Sequence, residues 1–211
     1  MNLTEQLKQK KEQSLASIPK EKLDVMLGST QDLINVHLSN NALKTGDTMV
    51  DFELPNVNGK KEALSSYLQK GSTVISFYRG GWCPYCNLEL KALQAVLPEI
   101  KAKGASLIAI SPETPDNSLT TSEKNELEFS VLSDIDNQVA KQIGLVFKMP
   151  EALKNVYNDF NLDVAKHNGN NDYELPMAAT YVVNSDGKIS YAFVSEDYTE
   201  RADPQDILNV L

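Results

Sequence analysis

An α/β architecture, with a central mixed β-sheet flanked by helices and a helical extension ahead of it, is predicted by three observations. Short apolar, β-branched runs recur along the chain after residue 46; helical patterns separate the earlier ones; and a compact turn joins the last two. The runs are residues 73–78 (TVISFY), 105–110 (ASLIAI), 179–183 (ATYVV) and 189–194 (ISYAFV).

Taken in order, residues 1–45 lack strand signals and read as short helices. Leu3, Leu7 and Leu15 are spaced among polar residues. Pro19 opens PKEKLDVML, and Ser29 with Asp32 forms a capping-box-like start for a further helix, TQDLINVHL. These residues are expected to form a helical extension, with residues 46–211 as one domain. After the first strand run, Leu90, Leu93, Leu97 and Ile100 recur at helical spacing, and Gly104 follows a Lys-rich last turn as a stop signal. Pro98 lies inside this helix and is expected to kink it. Further helices are expected in DIDNQVAKQIG and PEALKNVYNDF, and in the closing DPQDILNVL with Asp203 as N-cap and Pro204 at the first helical position. Residues 169–176 (GNNDYELP) read as a surface loop, and residues 184–188 (NSDGK) as a hairpin turn. A parallel βαβ start closed by an antiparallel hairpin makes the sheet mixed.

Composition narrows the function classes. Of 211 residues, 41% are hydrophobic and 23% charged, within the globular range. A net charge of -9 argues against a nucleic-acid or anionic-membrane binder, which needs clustered Lys and Arg. The N-terminus lacks a secretory apolar segment and no long apolar run occurs, so the reading is a soluble cytoplasmic protein. In such a chain two cysteines point to redox or metal chemistry rather than to a structural disulfide.

Both cysteines fall in FYRGGWCPYCN, residues 77–87, at a strand-to-helix junction. Cys83 is placed near the N-cap and Cys86 in the first helical turn, where free amides and the helix dipole favour a thiolate. Cys83, beside Gly80 and Gly81, is expected to be the more exposed sulfur. Arg79 is one of only two arginines in the chain, the other being Arg201. Its permanently charged fork can hold an anionic or peroxidic oxygen in line with a sulfur. A second thiol one turn away can resolve a mixed disulfide or a sulfenic acid formed on the first. A zinc site would need about four ligands, and only His37 and His167 stand beside the cysteines as soft partners. An inert buried pair is the plainer alternative. Trp82 reads as a core aromatic or a lid, and the two histidines as loop residues.

At these residues the chain resembles the thioredoxin superfamily, in particular the peroxiredoxin-like branch of the alkyl hydroperoxide reductase and thiol-specific antioxidant (AhpC/TSA) family. The likeness extends over residues 46–67 (GDTMVDFELPNVNGKKEALSSY), 104–116 (GASLIAISPETPD), 127–145 (LEFSVLSDIDNQVAKQIGL) and 179–194 (ATYVVNSDGKISYAFV). It implies a thioredoxin-like fold. Laying the family signature Pro-x-x-x-Thr-x-x-Cys on RGGWCPYC puts Cys86 on the peroxidatic cysteine, Cys83 on the threonine and Arg79 on the proline. The family's arginine ahead of the last-but-one strand is missing, since Met177, Ala178 and Ala179 stand there. CPYC is also the dithiol motif of glutaredoxins, and Trp82 before it is similar to thioredoxins; in those relatives the first cysteine, here Cys83, attacks. The two registers therefore assign the attack to different sulfurs. Arg79 is expected to replace the missing peroxide-pocket arginine, and Pro176 to correspond to the cis-proline that faces the cysteines.

The resemblance implies a thiol-dependent antioxidant enzyme that reduces hydroperoxides through a Cys83/Cys86 dithiol-disulfide cycle, recharged by a thioredoxin- or glutathione-type donor. Cys83, Cys86 and Arg79 are the expected catalytic residues. No metal or organic cofactor is called for, because sulfur does the chemistry. The alternatives are a general protein disulfide reductase and a non-enzymatic, redox-responsive binding protein. The extension is a candidate homodimer element, and its leucines could equally pack on the chain's own domain.

Overall fold

The computed structural model describes residues 2–211. Two helices open the chain, α1 (Leu3–Ser17) and α2 (Lys20–Asn35), followed by a short hairpin of β1 (Glu53–Pro55) and β2 (Lys61–Ala63) and by α3 (Leu64–Leu68). The central unit is β3 (Thr73–Phe77), α4 (Pro84–Ala102), β4 (Ser106–Ser111), α5 (Pro115–Lys124) and β5 (Ser130–Ser133). Then come α6 (Gln138–Gln142), β6 (Val146–Lys148), α7 (Glu151–Asp159), α8 (Val164–Asn168) and β7 (Glu174–Pro176). The hairpin β8 (Ala178–Val183) and β9 (Ile189–Ser195) and the helix α9 (Pro204–Val210) close the chain.

The main sheet has the order β5-β4-β3-β8-β9. Strands β3, β4 and β5 run parallel, and β8 lies antiparallel to both β3 and β9, so the sheet is mixed as expected. Its two faces alternate along β3. Val74 joins Leu90, Leu93, Leu97 and Ile100 of α4 on one face, together with Leu3 and Leu7 of α1 and Ile207 and Leu208 of α9. Ile75 and Phe77 face the other way, onto Leu64, Val139, Ala140 and Ile143. The period-2 strand pattern and the period-3.6 helix pattern thus meet in one core. α1 therefore packs back on its own chain, while α2 buries no residue fully and lends Val25 and Met26 to a smaller cluster with Leu153, Val156 and Tyr157.

Several expectations need correction. The helix start expected at Ser29 does not occur, because α2 is continuous; the Ser29 hydroxyl bonds back to the Val25 carbonyl at 2.8 Å within the helix instead of capping one. Pro98 does lie inside α4 as expected, on its exposed side, while Leu97 and Ile100 stay buried. Residues 174–176 are not loop: β7 pairs antiparallel with β6, and Leu175 is fully buried. The closing turn is as expected, with Asn184 N–H on the Lys188 carbonyl at 2.8 Å and Gly187 in the left-handed region at φ 82°. Asp203 caps α9 by accepting from the Gln205 amide. Among the described residues no helix is long and apolar enough to cross a membrane.

Candidate active site

The β3-to-α4 junction carries the dithiol. Cys83 is the N-cap of α4 with extended backbone, and Pro84 takes the first helical position, where no amide partner is required. One turn on, the Asn87 amide donates to the Cys83 carbonyl at 3.1 Å. The approach to the helix is pinned from the side. Gly81 N–H donates to Glu113 Oε2 at 2.9 Å, and the Asn87 side chain donates to the Gly81 carbonyl at 2.8 Å. A Cβ on Gly81 would lie 1.9 Å from Thr121 Oγ1, so only glycine allows this close approach. Glu113 also bonds His167 Nδ1 at 2.9 Å, which gives that histidine a supporting place that its sequence context does not reveal.

Both sulfurs are free thiols and both are buried, Cys83 at 1% exposure and Cys86 at 0%. The expectation of an exposed Cys83 is thus overturned: Tyr85 and Trp82 pack beside it, and α1 and α2 close over it. Cys83 nevertheless lines a cavity, whereas Cys86 points into the core. Their electrostatics diverge. Burial works to raise the Cys83 pKa, but the hydrogen bond from the Cys86 thiol and the charges of Arg79 and Arg201 bring it down to about 5. Burial and the neighbouring Cys83 thiolate push Cys86 well above the ordinary thiol range. The surroundings therefore favour the thiolate form at Cys83 and the thiol form at Cys86.

Two buried arginines surround the pair. The Arg79 guanidinium, 2% exposed, stacks over Tyr198 at 4.4 Å, Trp82 at 4.9 Å and Tyr157 at 5.7 Å, and donates to the Tyr157 hydroxyl. Burial opposes its charge, yet Tyr157 and the two sulfurs hold its pKa above the ordinary value. Arg201 is the residue that sequence reasoning missed. Its Nη2 donates to Cys86 Sγ at 3.2 Å, and its Nε donates to Glu89 Oε2 at 2.6 Å. Glu89, one helical turn after Cys86, accepts further bonds from Thr180 Oγ1 at 3.2 Å and Ser76 Oγ at 3.4 Å. Burial raises its pKa to about 7 against the pull of Arg201. The one available signal was compositional: a chain with two arginines among its cations puts both here.

Arg79, Cys83 and Cys86 are therefore brought together, while Pro176 lines a small cavity next to Arg79 and not the one that Cys83 opens onto. Among the described residues no peptide bond is cis, and Pro176 is engaged in the β6–β7 pairing opposite Val146. The expected correspondence with the family's cis-proline fails because Pro176 is trans. Met177 and Ala178, at the position of the missing arginine, line a small cavity next to Arg79.

The sequence profile of the AhpC/TSA family matches residues 45–192. Peroxiredoxin Bcp of Escherichia coli K12 is 27% identical over 153 residues, covering 72% of this chain and 86% of the relative. Among solved structures, peroxidoxin BcpB of Mycobacterium tuberculosis superposes with a TM-score of 0.63 at 24% identity, over 80% of this chain and 96% of the other. A PrxQ variant of Xylella fastidiosa gives a TM-score of 0.61 at 16% identity, over 79% and 94%. These structures share the thioredoxin-like peroxiredoxin fold. The helices α1 and α2 precede the family match, and Tyr198 and Arg201 follow it.

Proposed function

The chain belongs to the AhpC/TSA family, and from that premise we propose that it is a thiol peroxidase in which Cys83 attacks the peroxide and Cys86 resolves the product. One observation carries the assignment: of the two sulfurs, Cys83 alone lies on the cavity wall, and it is the one held as thiolate. The thiolate attacks the distal peroxide oxygen, the S–O bond forms as the O–O bond breaks, and the displaced alkoxide takes a proton from solvent and leaves as the alcohol, with Cys83 left as sulfenic acid. Cys86 then loses its proton to the departing hydroxide, its sulfur bonds to Cys83, and water leaves with the disulfide formed. In this reading Arg79 binds the peroxide oxygens, and Arg201 with Glu89 holds Cys86, a role supported by the Arg201 bonds to both.

A thioredoxin- or glutathione-type dithiol or thiol donor closes the cycle by attacking the disulfide. Ile34 and Val36, exposed on and just after α2, are the residues this reading would place in a homodimer contact, which sedimentation at several concentrations tests.

The opposite assignment has an observation of its own: Arg201 Nη2 bonds Cys86 Sγ at 3.2 Å, and the family signature puts its peroxidatic cysteine on Cys86. Trapping with a sulfenic-acid reagent separates the two. In Cys86→Ser, one rapid turnover that leaves the label on residue 83 supports the proposal. Fast peroxide consumption by Cys83→Ser, with the label on residue 86, reverses the roles. Thiol loss no faster than free cysteine in the wild type refutes both.

A further inference from the structure

Helix α1 precedes the family match, and the segment it lies against, residues 195–203, follows it. Leu3, Leu7, Lys11 and Ser14 fall at i, i+4, i+8 and i+11, so they share one face of α1. Along that face Leu3 and Leu7 are buried in one cluster with Ala202, Lys11 pairs with Asp197 at 2.8 Å, and the Tyr85 hydroxyl meets Ser14 Oγ at 3.3 Å.

The same segment carries two groups that act on the dithiol. Tyr198 packs edge-on against Tyr85 at 5.6 Å and under the Arg79 guanidinium at 4.4 Å, and Arg201 bonds both Cys86 and Glu89. Asp197 joins them to α1. One carboxylate oxygen takes Lys11 Nζ, and the other accepts from the Thr199 amide at 2.9 Å and the Thr199 hydroxyl at 2.7 Å. The Glu200 amide donates to the Asp197 carbonyl at 2.9 Å, so a turn closes on this aspartate with Tyr198 at its centre. Arg201 Nη1 then donates to the carbonyls of Tyr198 and Glu200. A guanidinium fork tied to its own turn on one side reaches the sulfur on the other only where that turn is placed.

We propose that Lys11 and Asp197 are positioning residues: through their ion pair α1 holds the 197–201 turn so that Tyr198 covers Arg79 and Arg201 reaches Cys86. The consequence for turnover rests on the peroxidase reading above. The consequence for the sulfurs does not, since the charges of Arg79 and Arg201 act on the dithiol before any peroxide arrives.

The test reads reduced protein three ways: ultraviolet absorbance of the thiolate against pH, urea unfolding, and single-turnover thiol oxidation by hydrogen peroxide. A half-exposed ion pair biases the arrangement it holds by about fivefold at most. Lys11→Gln and Asp197→Asn should therefore each raise the pH at which the Cys83 thiolate forms by about half a unit, a roughly threefold change in proton affinity. Oxidation at a pH of about 5, the wild-type midpoint, should slow about twofold in both. The double variant should be no worse than either single one, and Lys11→Arg should keep the wild-type midpoint. Lys20→Gln, which breaks the exposed pair with Asp24 on α2, is the control and should move nothing at the sulfurs. Lys11 also lines the cavity, so Asp197→Asn is decisive: if the Lys11 charge acted directly on Cys83, neutralising its partner would lower the thiolate midpoint, whereas a loosened turn raises it. A midpoint that stays or falls in Asp197→Asn, with only the urea midpoint reduced, would overturn the proposal. If the midpoint rises as expected while hydrogen peroxide is consumed no faster than by free cysteine, the positioning stands and the peroxidase reading falls instead.

Discussion

Titration of the reduced protein probes the site's electrostatics through stability as well as reactivity. Cys83 has a folded-state pKa of about 5 against an ordinary value of 9.0, burial opposing the shift and the Cys86 hydrogen bond and two arginines driving it. At about 1.4 kcal/mol per tenfold change in proton affinity, the fall from 9.0 to about 5 amounts to roughly 5–6 kcal/mol. The unfolded chain keeps this proton up to its own pKa, and the folded chain releases it near pH 5. The stabilisation is therefore complete above pH 9, shrinks as pH falls, and is gone below pH 5. Glu89 has the opposite sign. Its pKa rises from 4.5 to about 7, mainly through burial, so it removes stability as pH climbs between those values. The two slopes oppose one another from pH 5 to 7; from 7 to 9 the Cys83 slope stands alone and contributes about 3 kcal/mol. Cys86, pushed upward, acts only at higher pH. Urea unfolding of reduced wild type and Cys83→Ser across this range, beside the ultraviolet absorbance of the thiolate, measures it. The wild-type advantage should grow by about 3 kcal/mol between pH 7 and 9, with the thiolate appearing near pH 5. A thiolate midpoint near the ordinary thiol value, with a pH-independent advantage, would show that burial outweighs the arginines and refute the reasoning.

The same thiolate favours the reduced state, so at pH 7 the dithiol should be more oxidising than an unperturbed one by about 60 mV, the equivalent of about 3 kcal/mol for two electrons. Equilibration in a glutathione redox buffer reads this, and Arg79→Gln should move the potential back toward the unperturbed value. Arg201→Lys keeps a charge but loses the fork joining Glu89 to Cys86; about 3 kcal/mol of stability should be lost, seen as a lower urea midpoint, because Glu89 stays buried with an imperfect partner. Glu113→Gln exchanges the carboxylate that accepts the Gly81 amide and meets His167 for a neutral amide, and thermal unfolding should report a loss of about 1–2 kcal/mol.

Legibility followed the range of the interactions involved. The strand runs after residue 73, the α4 face from Leu90 to Ile100, the Asp203 cap and the 184–188 turn all come from local patterning, and the structure reproduces them. The three-residue strands β6 and β7 were not legible, since so short a strand exists only by virtue of its partner. Ser29 misled because a hydroxyl that caps one helix can bond backward inside another. Pro176 misled because a motif register does not by itself fix the isomer of a peptide bond.

At the site the division is sharper. The sequence alone determined that both sulfurs sit at the start of one helix, one turn apart, with a permanent cation four residues ahead, since all of this is set by neighbours along the chain. Tertiary structure decided which sulfur its surroundings favour as thiolate and which faces the cavity. The Arg201 contact to Cys86 spans 115 residues and depends on the hairpin β8–β9 returning beside β3, and the chamber over Cys83 depends on α1 and α2 folding across it. Burial and charge act through space, so the desolvation of both sulfurs and the pull that Arg201 adds to that of the nearby Cys86 and Arg79 are fixed by sheet order, beyond what local spacing sets.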